Sequence, residues 1–138
     1  MLIDRLTNKS ANKLSFNKCD KDLYKVHFPY YHEDGDMFDV FLRINNDGYL
    51  ELCDFGATLM RLSYTYEFTD FSFKIFEDIL RANCIENYSG NLCIATSEDD
   101  FLRTLLSYSL TISKIVNMDI MKRDNVVGLF KEQVRGIH

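Results

Sequence analysis

The chain has 138 residues, of which 46% are hydrophobic and 27% charged, and these values exclude a protein that is disordered throughout. Its net charge of −5 makes nucleic acid an unfavourable partner, because the molecule as a whole repels phosphate groups. From the length, we expect residues 1–138 to form one domain. Because the sequence has no long apolar run, we expect this domain not to enter a membrane.

The cysteines carry information about the cellular compartment. They are Cys19, Cys53, Cys84 and Cys93. Their spacing contains no C-x-x-C pair, and no secretory apolar segment lies near the first residue, so neither a disulfide framework nor a zinc site is supported. We therefore expect four reduced thiols, a cytoplasmic location and no cofactor.

The first third of the chain changes from a weak helical pattern to an extended one. Leu2, Ile3 and Leu6 could line a short helix, so the start is predicted as a short helix or arm. From Leu14 apolar and polar residues alternate, and a turn at residues 20–22 leads into a second extended run that ends at Pro29. These residues predict a β-hairpin.

The middle of the chain predicts two more strands. A turn at residues 33–36 precedes a strand over Met37 to Ile44, and residues 45–48 form another turn signal before a return strand over Tyr49 to Cys53. Because connections this short join antiparallel neighbours, residues 23–54 should form a β-meander.

After Gly56 the apolar period becomes helical. Thr58 is predicted to cap a short helix, and Thr69 or Asp70 to cap a second one. The buried stripe of this second helix is predicted as Phe71, Ile75, Phe76, Ile79 and Leu80.

The remaining residues predict a small hairpin and two helices. Ser89–Gly90 marks the hairpin turn, and Ser97-x-x-Asp100 opens a longer helix. A last helix is predicted over residues 124–135. The buried positions of the longer helix should be Phe101, Leu105, Tyr108, Ile112 and Ile115. The predicted fold is α+β, an antiparallel β-meander with a small extra hairpin, covered by C-terminal helices.

One motif resembles a known family. Leu52, Asp54, Gly56 and Thr58 match a Leu-x-Asp-x-Gly-x-Thr turn between a strand and a helix, downstream of Gly35–Asp36. This pattern resembles the bacterial and phage family catalogued as domain of unknown function 1828. The likeness spans about residues 26–116 and leaves the N-terminal arm and the C-terminal helix outside. It implies no established activity, only an accessory role in a phage, mobile-element, defence or counter-defence setting.

The motif turn, taken as Gly35, Asp36, Asp54, Gly56 and Thr58, has a structural and a functional interpretation. Structurally, Gly56 supplies a left-handed backbone, Asp54 accepts hydrogen bonds from backbone N–H groups, and Thr58 caps the helix. Functionally, Asp36, Glu51 and Asp54 could hold a divalent cation, as in a metal-dependent nuclease or hydrolase. Against this reading, Cys53 stands where a nuclease core of this kind has a lysine.

A protein-binding role fits the acidic, aromatic-rich composition better than catalysis does. The aromatic residues expected on the partner surface are Tyr30, Tyr31, Tyr64 and Tyr66. The sequence thus predicts a domain that binds another protein, with a metal-dependent nuclease as the alternative. It leaves the partner and the oligomeric state open.

Overall fold

The computed structural model describes residues 2–10, 13–29, 39–45, 47–64 and 66–118. The predicted turn at 33–36 and the predicted helix at 124–135 lie outside these residues. Within them, no helix has the length and apolar character needed to cross a lipid bilayer. The elements in chain order are α1 (Leu2–Lys9), β1 (Ser15–Asp20), β2 (Leu23–His27), β3 (Val40–Ile44), β4 (Leu50–Cys53), α2 (Ala57–Ser63), α3 (Asp70–Ala82), β5 (Glu86–Tyr88), β6 (Asn91–Thr96) and α4 (Phe101–Val116).

The strands form one six-stranded sheet in the order β1-β2-β3-β4-β6-β5, with every neighbouring pair antiparallel. The predicted meander is confirmed and extends back to β1. The predicted extra hairpin is also confirmed, as β5 and β6. It joins the same sheet because β6 pairs with β4, with Leu52 opposite Ile94 and Cys53 opposite Cys93. The α+β prediction is therefore confirmed.

The hydrophobic core lies between one face of the sheet and the helices. Alternate strand residues such as Val26, Leu42 and Leu52 are fully buried. All five positions predicted for the stripe of α4 are buried, and they pack in the same cluster. The buried hydroxyl of Tyr108 donates a hydrogen bond to the carbonyl of Leu92 at 2.6 Å, which fixes α4 on β6.

The N-terminal segment is a helix that packs on the domain. Leu6 is buried in the core cluster. On the surface, the guanidinium of Arg5 donates two hydrogen bonds to Glu98, at 2.7 and 3.0 Å. Of the two predicted alternatives, helix and arm, the structure has the helix.

The start of α3 determines which of its residues face the core. Thr69 is the N-cap, as one of the two predicted caps. Its hydroxyl accepts a hydrogen bond from the Ser72 N–H, and the Ser72 hydroxyl accepts one from the Thr69 N–H. This capping box places Ser72 inward, with Phe76 one turn later. The predicted stripe is therefore wrong at Phe71 and Ile75, which are exposed.

Candidate functional site

The β4–α2 turn, residues 54–58, is organised by one buried carboxylate. Asp54 is 2% exposed. Its Oδ1 accepts hydrogen bonds from the N–H groups of Gly56 and Leu92, both at 3.0 Å, and its Oδ2 accepts from the Thr58 N–H at 3.1 Å. Asp54 thus joins β4, the start of α2 and β6, and confirms the expectation that it accepts from backbone N–H groups.

The cap of α2 differs from the one predicted. The helix begins at Ala57, its N-cap is Gly56, and Gly56 has the expected positive φ of 85°. The prediction that Thr58 caps the helix is wrong, because the Asp54 carboxylate already accepts from the N–H groups at the helix start. Thr58 lies in the first turn of α2 and is buried.

The opposite side of the β4–α2 turn is closed by Phe55. Its N–H donates to the side-chain oxygen of Asn91 at 2.8 Å. Its ring packs edge-on against Phe41 at 5.0 Å, and the Arg43 guanidinium lies over it at 5.5 Å. The turn is therefore fastened to strands on either side, which favours a structural role for it.

The carboxylates of the alternative metal site do not converge among the described residues. Glu51 lies on the sheet face opposite the helices, where it pairs with Arg43 at 3.2 Å. Asp54 is buried beneath α2 and turned toward backbone N–H groups. Asp36 and Gly35 lie outside the described residues. The described acids thus give no support to a two-carboxylate cation site of the nuclease kind.

A different cluster lies on the Glu51 face of the sheet. Cys53 and Cys93 are directly opposite each other on β4 and β6, and their Sγ atoms are 3.1 Å apart. The Cys53 Sγ is 3.3 Å from the Glu51 Oε1. The hydrogen bond with Cys93, burial and the Glu51 charge together raise the pKa of the Cys53 thiol well above its usual range.

All four cysteines are free thiols in the structure, as expected. Spacing along the chain could not reveal the cluster, because Cys53 and Cys93 become neighbours only through the pairing of β4 with β6. The alternation of side chains along β4 places Glu51 and Cys53 on one face of the sheet. That Cys93 lies beside them depends on the register of β6 against β4.

The tyrosines predicted for the partner surface differ in their surroundings. Tyr64, at the end of α2, is 78% exposed. Tyr66 is half-buried, and its ring packs edge-on against Phe68 at 5.2 Å. Tyr30 and Tyr31 lie outside the described residues. Tyr64 therefore remains available for a partner, whereas Tyr66 is part of the packing around α3.

The first two turns of α3 expose an apolar surface that the sequence analysis assigned to the core. We define the α3 face as Phe71 and Ile75, which are four residues apart on one side of the helix; Phe71 is 71% exposed and Ile75 is also exposed. Phe73 packs beside the fully buried Phe76 at 5.7 Å. The only sequence signal for this orientation was the Thr69–Ser72 capping box. Close to the α3 face along the chain, the exposed acids are Glu67, Asp70, Glu77 and Asp78, and the exposed base is Lys74.

A family model described as a domain of unknown function, DUF1828, matches residues 28–115, in agreement with the resemblance carried by the β4–α2 turn. The match covers β3 through most of α4 and contains both the β4–α2 turn and the α3 face. No curated protein and no solved structure matches the chain significantly.

Proposed function

Because the chain belongs to the DUF1828 family, whose function is not established, we propose from its own surface that it is a non-enzymatic domain that binds another protein. The observation that supports this most directly is the α3 face. Phe71 is largely exposed although it sits on a well-formed helix next to the core. Large apolar side chains exposed together on a rigid element are typical of protein interfaces.

The surface beneath the α3 face is held in place before any partner arrives. The ring of Phe68 packs against Phe73 at 5.7 Å and against Phe76 at 5.4 Å. The capping box at Thr69 fixes the start of the helix. A partner would therefore meet an ordered apolar surface and would not lose affinity to ordering it.

The charges around the α3 face indicate the kind of partner. Residues 67–78 carry four exposed acids, Glu67, Asp70, Glu77 and Asp78, against one exposed base, Lys74, and the whole chain carries a net charge of −5. Opposite charges at the rim of an interface speed association and select partners. We propose a partner with an apolar anchor inside a basic rim, bound in the cytoplasm, in the phage, mobile-element or defence setting that the family resemblance implies.

The proposal is tested with paired variants of the full chain. Phe71→Ser with Ile75→Ser removes two exposed apolar groups four residues apart on α3. Leu106→Ser with Leu110→Ser removes a similarly spaced exposed pair on α4, and this pair serves as the matched control. A partner is first captured with the wild-type chain and then purified. Its affinity for the α3 variant should be at least about tenfold lower than for the wild type, which corresponds to roughly 1.4 kcal/mol.

The control variant should bind the purified partner as the wild type does. Binding should also weaken with added salt, because the rim charges are screened. Unchanged binding by the α3 variant, with loss in the α4 variant, would contradict the α3 face as the partner surface.

The alternative activity is tested by incubating the purified chain with Mg²⁺ or Mn²⁺ and DNA or RNA. We expect no cleavage, because the described acids do not converge and the chain repels phosphate groups. Cleavage by the wild type, and none by an equally stable Asp54→Asn variant, would replace the binding proposal with the nuclease alternative.

A further inference from the structure

We propose that Glu51, Cys53 and Cys93 form a binding site for one thiophilic divalent cation of the Zn²⁺ class. The three side chains each offer one donor atom, and these atoms all lie within 4.8 Å of one another. Two sulfur donors and one carboxylate oxygen suit a tetrahedral zinc ion with solvent as the fourth ligand. This site is separate from the α3 face, and it shares Glu51, but neither Asp36 nor Asp54, with the carboxylates of the nuclease alternative.

The backbone holds the donors in place. Cys53 and Cys93 are paired across β4 and β6, and Glu51 follows the same face of β4 two residues earlier. Zinc–sulfur bonds of about 2.3 Å and zinc–oxygen bonds of about 2.1 Å place two sulfurs about 3.8 Å apart, and a sulfur and an oxygen about 3.6 Å apart, in a tetrahedron. The observed separations are 3.1 Å between the sulfurs and 3.3 Å from the Cys53 sulfur to the Glu51 oxygen. Small side-chain rotations would therefore admit the ion.

Ion binding would replace the two hydrogen bonds that now join the donor atoms of the cluster. The Cys93 thiol donates to the Cys53 sulfur, and the Cys53 thiol donates to the Glu51 carboxylate. On binding, two zinc–sulfur bonds form and the two thiol protons leave to solvent, with no change of oxidation state. The ion then has two thiolates and one carboxylate around it.

The surroundings suit such a centre. Two thiolates, one carboxylate and a divalent ion sum to a charge of −1, and Arg43, 3.2 Å from the Glu51 carboxylate, supplies the compensating positive charge. Cys53 and Cys93 are 0% and 2% exposed, so thiolate–metal bonds would be protected from solvent. Glu51 is partly exposed and leaves a route for the solvent ligand.

The test uses Co²⁺ as a spectroscopic substitute for Zn²⁺, with the full chain kept reduced. A Cys19→Ser, Cys84→Ser variant first removes the two exposed thiols, which lie outside the cluster. Any thiolate-to-cobalt charge-transfer band must then come from Cys53 and Cys93. We expect one Co²⁺ per chain, the charge-transfer band, and its loss when Zn²⁺ is added. Absence of the band in this folded variant would overturn the proposal without any change to the cluster itself.

Two further variants on the same background locate the ligands. Cys93→Ser should abolish the band, and a band that persists would overturn the assignment. Glu51→Gln keeps both thiols and the side-chain shape, so the band should remain while Co²⁺ affinity falls about tenfold or more. Asp99→Asn, at an exposed acid outside both the cluster and the α3 face, is the control and should leave the affinity unchanged. Equal affinities for the Glu51 and Asp99 variants would remove Glu51 from the site.

Discussion

The β4–α2 turn and the α3 face both lie within the residues that match the family model. They differ in orientation, because the turn points a polar side chain into the protein and the α3 face points apolar side chains out of it. In the turn, the polar side chain of Asp54 points inward and its two oxygens accept three hydrogen bonds from backbone N–H groups. On α3, the apolar side chains of Phe71 and Ile75 point outward. A buried polar group satisfied by backbone is what a structural joint requires, whereas exposed apolar groups on an ordered helix are what a recognition surface requires.

This contrast separates residues that define the family motif from residues that could contact a partner. The motif residues Asp54, Gly56 and Thr58 serve the joint between sheet and helix. If function depended on them directly, their loss would change activity without changing stability. The comparison therefore becomes testable through stability measurements on matched variants.

The largest change in stability is expected from a substitution within α3. Phe76→Ala should lower the free energy of unfolding by about 4 kcal/mol, because Phe76 is fully buried and its removal leaves a cavity. Phe71→Ala, the same change five residues earlier, should cost less than about 0.5 kcal/mol. Urea unfolding of both variants checks the pair, and similar losses would show that Phe71 belongs to the core after all.

The next largest change in stability is expected at the β4–α2 turn, which joins the sheet to α2. Asp54→Ala should lower the free energy of unfolding by about 3 kcal/mol, because it removes the acceptor of three backbone N–H groups, two of them at buried positions. Asp54→Asn should cost less, since an amide oxygen can still accept. Asp47→Ala, an exposed acid in the β3–β4 turn, is the control and should change little. An equally stable Asp54→Ala variant would show that the turn is not a structural joint.

A smaller change in stability is expected from a substitution that affects only the backbone conformation of the β4–α2 turn. Gly56→Ala should cost about 1 kcal/mol, because φ is +85° and a Cβ there would meet nothing nearer than the Gly90 carbonyl at 3.9 Å. Gly48→Ala, with φ of +82° and open space around it, should cost the same. Thermal unfolding of the two variants compares them directly. A clearly larger loss at Gly56 would mean that the turn also depends on close packing.

Most of the fold could be predicted because local signals and tertiary packing agree. Alternating residues gave the strands of the meander, short turns gave their antiparallel order, and the stripe of α4 was right at every predicted position. The cap of α3 was predicted as well, since Thr69 was one of two predicted caps, whereas its reciprocal bonding with Ser72 was not.

What could not be predicted depended on geometry beyond neighbouring residues. α3 carries apolar residues on more than one side, so periodicity could not tell that Phe71 and Ile75 face outward. The cap of α2 comes from Asp54, outside the helix, and this displaced the predicted role of Thr58. The pairing of Cys53 with Cys93 follows from the register of strands that are 40 residues apart.

The smallest change in stability is expected at a surface ion pair, the contact of Arg5 on α1 with Glu98. Hydrogen bonding to Arg5 and its positive charge lower the pKa of Glu98 below the ordinary value of 4.5. A carboxyl whose pKa is lowered by folding stabilises the native state above its unfolded pKa, and this contribution is lost as pH falls through the lowered folded value. The melting temperature of Glu98→Gln should therefore lie slightly below that of the wild type at pH 7 and low salt.

The difference between Glu98→Gln and the wild type should shrink at acidic pH, where wild-type Glu98 is also neutral, and in high salt, where the pair is screened. Asp99→Asn is the matched control, because the Asp99 side chain is 95% exposed and its ion pair among the described residues is with Lys9, at 3.4 Å. A Glu98→Gln difference that persists unchanged at low pH would show that Glu98 acts through packing and not through its charge. In that case packing would hold α1, through buried Leu6 and the partly buried Leu2 and Ile3 together with Glu98.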